Sequence, residues 1–219
     1  MATTESAREL VLRLQDELAP ADRANRFTGL VATGAAPLRA LGAFAAEQYD
    51  IVRSARVSFL TLAARSTDGA AEFFTGRLRR RAQALDAARR MAATCDVDLQ
   101  DHRNLPGCQA YAAYYAWLAL NADPLDVVLA MVPNYGTWGG YCADLARSLR
   151  HNYEFTDADC ELVDMFGRTG GELDEHAIRV LQEALDAGWQ PGEAREYGRL
   201  LQGYELLYWN TLADHAEAE

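Results

Sequence analysis

Apolar residues recur at three- and four-residue steps along most of the chain, and no alternating run of β-branched residues interrupts them. Ala, Leu, Arg and Glu dominate, and isoleucine occurs only as Ile51 and Ile178. The pattern predicts an all-α fold, a compact multi-helix bundle over residues 1–219 as one helical domain. A first helix is expected from about Glu5 to Leu18, stopped by Pro20. A Gly-rich link follows through Gly34, and Pro37 opens a long helix with an apolar row at Leu41, Phe44, Ile51 or Val52, and Ala55. Asp68 and Gly69 break that pattern, and a third helix is expected through about Ala93. The stretch DVDLQDHRNLPG reads as a loop, after which an aromatic, Ala-rich helix from Gln109 to Leu120 should be buried on most sides. Asp123 is placed to cap the next helix, with Pro124 at its first position. Pro133 lies inside that helix, which runs to about Arg150, and is expected to kink or break it between Val132 and Tyr135. Thr156 and Asp159 begin a further helix in capping-box style, interrupted from Gly167 to Gly171 and continuing to about Leu185. Gly188 ends it, and Pro191 precedes a last helix reaching about His215.

Polar residues on apolar rows mark the chemistry. In the last helix Leu201, Glu205, Tyr208 and Trp209 share a face. A carboxylate in that aromatic row costs several kcal/mol unless paired or protonated, and desolvation raises its pKa. Glu205 is therefore a candidate general acid or base, the alternative being a structural carboxylate held by an arginine. Gln48 intrudes on the apolar row of the long helix, where it can donate and accept without carrying charge. Tyr111 carries a polar tip on an otherwise apolar helix face. The segment around Pro133, with Asn134, Tyr135, Trp138, Gly139, Gly140 and Tyr141, is expensive as mere scaffold and is expected to border a ligand pocket.

Composition narrows the field. The formal charge of −11 argues against nucleic acid and anionic membrane surfaces as partners and favours small molecules or other proteins. All 21 cations are arginine, which removes a Schiff-base lysine, a phosphate-loop lysine and a Ser-Lys dyad. The run Arg77, Arg79, Arg80, Arg81 reads as a solvated helix face relieved by Glu72 and Asp86, with an anion site as the other reading. Cys95, Cys108, Cys142 and Cys160 contain no CxxC pair, and the four histidines form no HxxxH, HExxH or Glu-x-x-His pattern, so no metal or other cofactor is expected. The acid-bearing amphipathic start is unlike a secretory signal, and no apolar run approaches the roughly 20 residues that span a bilayer. A cytoplasmic protein with free thiols is expected.

Three segments in order, PLRALGAFAAEQYDIVRSA, AYAAYYAWLALNADPLDVVLAMVPN and GYELLYWNTLADHA, resemble the TenA family, the thiaminase II group, whose fold is like haem oxygenase without the haem. The resemblance covers essentially the whole chain and implies a homotetramer, or a homodimer. By the same resemblance Glu205 falls on the family's catalytic glutamate and Tyr111 on its active-site tyrosine. Gln48 stands where the family has the aspartate that binds the pyrimidine amino group, Ile51 and Thr169 where it has tyrosines, and Tyr141 approximately matches a further tyrosine. Asn134 stands at the position of the nucleophilic cysteine. An amide cannot add to a pyrimidine as a thiolate does, so thiamin breakdown is not expected unless Cys142 swings into the pocket. The expectation is a divergent TenA-like hydrolase of a small heteroaromatic or amide-bearing metabolite. Glu205 and Tyr111 would be its catalytic residues, with Gln48, Asn134, Tyr141, Thr169, Ile51 and Trp138 binding substrate. The alternative is a binding or regulatory protein that keeps the pocket without turnover.

Overall fold

Ser6 starts the first helix with a reciprocal capping box, its side chain accepting from the Glu9 amide while the Glu9 carboxylate takes the Ser6 amide. The computed structural model describes residues 5–21, 24–168 and 174–218. Ten helices occupy them: α1 Ala7–Glu17, α2 Arg26–Ala32, α3 Leu38–Ala64, α4 Asp68–Gly76, α5 Arg81–Thr94, α6 Pro106–Asn121, α7 Pro124–Asn152, α8 Glu161–Gly167, α9 Glu175–Asp186 and α10 Ala194–Glu217. There is no strand among the described residues. The long helices α3, α6, α10 and α7 pack in sequence, each against the next, and α10 also meets α3. Around this frame α5 covers α3, α8 covers α7, and α2 fills the angle between α7 and α10. An aromatic stack forms the centre: Phe27 lies on Phe44, Phe44 on Trp209 at 5.6 Å, and Trp209 on Trp138 at 4.7 Å.

Five details depart from the expectations. The Gly-rich link contains α2, capped by the Asn25 side chain on the Thr28 amide. The expected third helix is two, because the chain turns at residues 77–80 between α4 and α5, and the arginine run therefore lies in a connection. α6 is half-covered: Trp117 and Leu120 face solvent while Tyr111, Tyr115 and Leu118 are buried. The break allowed for at Pro133 does not occur: α7 runs through it as one helix, held between α2, α8 and α10. The Thr156–Asp159 capping contacts close a turn ahead of α8, which begins only at Glu161.

The loop before α6 is tied to α3 by a carboxylate that pattern reading passed over. Glu47 is fully buried and accepts from the Leu105 amide at 2.6 Å, from Gln109 Nε2 at 2.5 Å and from His102 Nε2 at 2.9 Å. That clamp fixes the start of α6, and with it the height of Tyr111 along the bundle.

Candidate functional site

α3 presents Gln48, Ile51, Val52, Ala55 and Phe59, at helical three- and four-residue steps, to a cavity of about 550 Å³. α6 contributes Tyr111 and Tyr115, α7 contributes Tyr135 and Trp138, and α8 contributes Met165 and Phe166. The remaining border is basic: Arg77, Arg79, Arg80 and Arg81 from the α4–α5 connection and the start of α5, with Arg168 after α8 and one acid, Asp174. The arginine run is solvated only in part: Arg79 and Arg80 are exposed, while Arg77 and Arg81 are half-buried. Arg77 is ion-paired with Asp174 and lies over the rings of Phe73 and Tyr135, while Asp86 serves Arg89 instead.

Behind the Tyr111 wall lies a closed polar network. The Tyr111 hydroxyl donates to Asn134 Oδ1 at 2.6 Å, and Asn134 Nδ2 donates to Glu205 Oε2 and Gln202 Oε1, each at 2.6 Å. The Trp209 indole N–H reaches Glu205 Oε1 at 3.4 Å, one helical turn along α10. Gln202 in turn donates to the Thr137 hydroxyl at 2.8 Å. Pro133 sits immediately before Asn134 on α7, where α10 supplies the facing Gln202 and Glu205. On the cavity side the Tyr111 and Tyr115 hydroxyls are 3.4 Å apart, and Tyr115 hydrogen-bonds Tyr135, so three phenols form a line from the network toward the arginines. Gln48 is buried and hydrogen-bonded to Tyr208.

Glu205 is 1% exposed and has no arginine partner among the described residues, which leaves the reading as an arginine-held structural acid without support there. Burial pushes its pKa up to about 8, against the opposing hydrogen bonds from Trp209 and Asn134. At neutral pH it is mostly a neutral acid that ionises close to the ambient range, suited to proton transfer in either direction. Tyr111 is held well above the usual phenol range, first by burial and then by the nearby Glu205. It is a standing hydrogen-bond donor, not a phenolate.

The sequence-selected residues divide by position. Gln48, Ile51, Tyr111 and Trp138 line the cavity. Asn134 and Glu205 do not; they join it through Tyr111. Tyr141 packs edge-on against Trp209, off the cavity, and Thr169 lies outside the described residues. Cys142 is fully buried behind the wall, with burial and Glu205 pushing its thiol far up, so it supplies no thiolate to the pocket. Gln202 was not selected from sequence; its place one turn before Glu205 on the same face was the available signal. No cluster of three or more His, Cys, Asp or Glu side chains able to hold a metal occurs among the described residues, and no helix there is long and apolar enough to cross a membrane.

Comparison with known proteins agrees with this architecture. A TenA homologue from Pseudomonas syringae pv. tomato superposes with a TM-score of 0.77 at 14% identity, covering 95% of this chain and 96% of that one. A structure described as a TenA family transcription regulator, from a Silicibacter species, gives 0.70 at 15% identity, covering 97% and 99%. A domain of unknown function with a haem-oxygenase-like fold from Shewanella denitrificans gives 0.66 at 15% identity, covering 96% and 90%. At these identities the likeness shows the fold, which is haem-oxygenase-like. No curated protein matches the chain in sequence. Residues 26–214, nearly the whole of α2 to α10, match the sequence pattern of the TENA/THI-4/PQQC family, and the chain belongs to that family.

Proposed function

We infer that this protein binds a small heteroaromatic or amide-bearing molecule in the cavity and hydrolyses it without a cysteine nucleophile, using Glu205 to move the proton. Family membership points to a thiaminase-II-like or related small-molecule function. The observation that carries the hydrolytic reading is the unpaired, buried Glu205 joined to the cavity wall through Asn134 and Tyr111. Tyr111 touches the bound molecule, and its hydroxyl, whose proton goes to Asn134 Oδ1, offers that molecule an acceptor in a direction Asn134 fixes. Rotation of the Tyr111 ring exposes Glu205 to the reacting end, where its ionised form takes a proton from water as the water oxygen adds to the reacting carbon, and returns that proton to the leaving group as its bond to the carbon breaks. Ile51, Gln48 and Trp138 shape the ring site. Asn134, lacking a thiolate, positions and does not attack.

Replacing Glu205 by Gln keeps one acceptor oxygen, enough for the Asn134 amide, puts an NH2 group in place of the oxygen facing Trp209, and removes the proton chemistry. Turnover, followed by mass spectrometry on pyrimidines, thiazoles and related amides that raise Tm, is expected to fall about 10²-fold or more while binding persists. Full turnover in E205Q would end this reading. The seal over Glu205 favours one second reading, a binding protein without chemistry. Ligands that raise Tm and emerge unchanged from the wild type would establish it.

A further inference from the structure

We propose that the arginine border of the cavity is an anion site and that the molecule it takes is an aromatic carboxylate or phosphate ester, gripped at its charged end by Arg81. The inference rests on the reading above only in taking the cavity as the ligand site; it does not depend on hydrolysis.

The charge balance is the first observation. The chain carries −11, yet its cavity is bordered by five arginines against the single carboxylate of Asp174 among the described residues. Asp174 is committed to Arg77. The state of Arg81 is the second. Its Nη1 donates to the Val52 carbonyl at 2.6 Å and its guanidinium lies 4.7 Å over the Phe59 ring, which pins the side chain against α3. Its Nε is buried with no hydrogen-bond acceptor. No acid among the described residues acts on it, and burial pulls its pKa down from the ordinary arginine range. Arg81 lines the cavity, so a held guanidinium with no carboxylate opposite it among the described residues offers a fixed charge that a carboxylate or phosphate can neutralise. A neutral ligand would leave that charge partly desolvated and without a counter-charge.

The third observation is distance. Arg81 grips α3 between Val52 and Phe59, one to three turns from Gln48, or about 6 to 16 Å along the helix axis. A ring system against Tyr111 and Trp138, with an anionic substituent reaching Arg81, spans this gap. The phenol line from Tyr111 to Tyr135 runs beside it.

Matched pairs test this: nicotinate against nicotinamide, and benzyl phosphate against benzyl alcohol, titrated by tryptophan fluorescence and by Tm. In the wild type at least one anion should bind about tenfold or more tightly than its neutral partner, and added salt should narrow the gap. Which anion leads separates carboxylate from phosphate. Arg81→Gln should abolish the preference while leaving the neutral partner's binding within about twofold. Arg80→Gln, at an exposed border residue with no side-chain partner among the described residues, should reduce the preference while leaving the fold intact. Equal binding of anion and neutral partner, no binding of either anion into the millimolar range, or a preference intact in both variants would overturn the proposal. E205Q should retain the preference whether or not turnover exists, so loss of the hydrolytic reading and loss of the anion site give different results.

Discussion

Glu205 shows how much one residue's surroundings decide. Its two oxygens meet an amide and an indole, both neutral, and no cation among the described residues offsets its desolvation. The folded protein therefore keeps a proton that the unfolded chain releases near 4.5, the ordinary value, and gives it up only near 8. Because the unfolded state binds fewer protons across that window, stability must fall as pH rises through it, at up to about 1.4 kcal/mol per pH unit from this group. E205Q removes that slope. Urea unfolding of the two proteins should give similar stabilities near pH 5 and a several-kcal/mol advantage to E205Q near pH 9. Parallel pH profiles would mean that Glu205 ionises normally in the fold. Glu205 and Gln48 were visible in the sequence because each breaks an apolar row. Gln202 and Glu47 were not, because their partners come from α7 and from the loop before α6, which no local pattern joins to them.

Among the elements, α3 carries the most consequence, since it lines the cavity on one face and supports α5 on another. Gly42 is where the support is closest. A Cβ there would lie 2.3 Å from Val97 Cγ2 and 2.9 Å from the Cβ atoms of both Val97 and Cys95. Alanine ordinarily gains about 1 kcal/mol over glycine inside a helix. Here the rigid Cβ contacts outweigh that gain, and Gly42→Ala should lower stability by about 1 to 3 kcal/mol in denaturant unfolding. A stabilised variant would show that the end of α5 moves freely. The long helices were legible because their stripes persist over many turns. The break at residues 77–80 was not, because Gly76, which ends α4, is a weak local signal and the arginines after it are good helix formers. What stops the run is tertiary: Arg77 is drawn to Asp174 and Arg81 to the carbonyl of Val52 on α3. α2 was hidden for another reason, being only seven residues long and containing Gly29.

The whole molecule separates two kinds of sulfur. All four cysteines are between 0 and 4% exposed and unpaired, distributed over α6, α7 and the ends of α5 and α8. Burial pushes the thiol of Cys160 up to about 11 and that of Cys95 to about 12. Native protein should therefore resist iodoacetamide, with labelling that tracks the unfolding equilibrium across a urea series. Rapid labelling of one thiol in water would locate a local opening. Cys142 matters most, since it sits near Glu205 yet off the cavity. The sulfur that does border the cavity is the thioether of Met165. Oxidants entering the pocket would thus meet no nucleophile to destroy. They would convert one apolar patch into a polar sulfoxide, a change that methionine sulfoxide reductases reverse, and leave the carboxylic acid behind Tyr111 untouched.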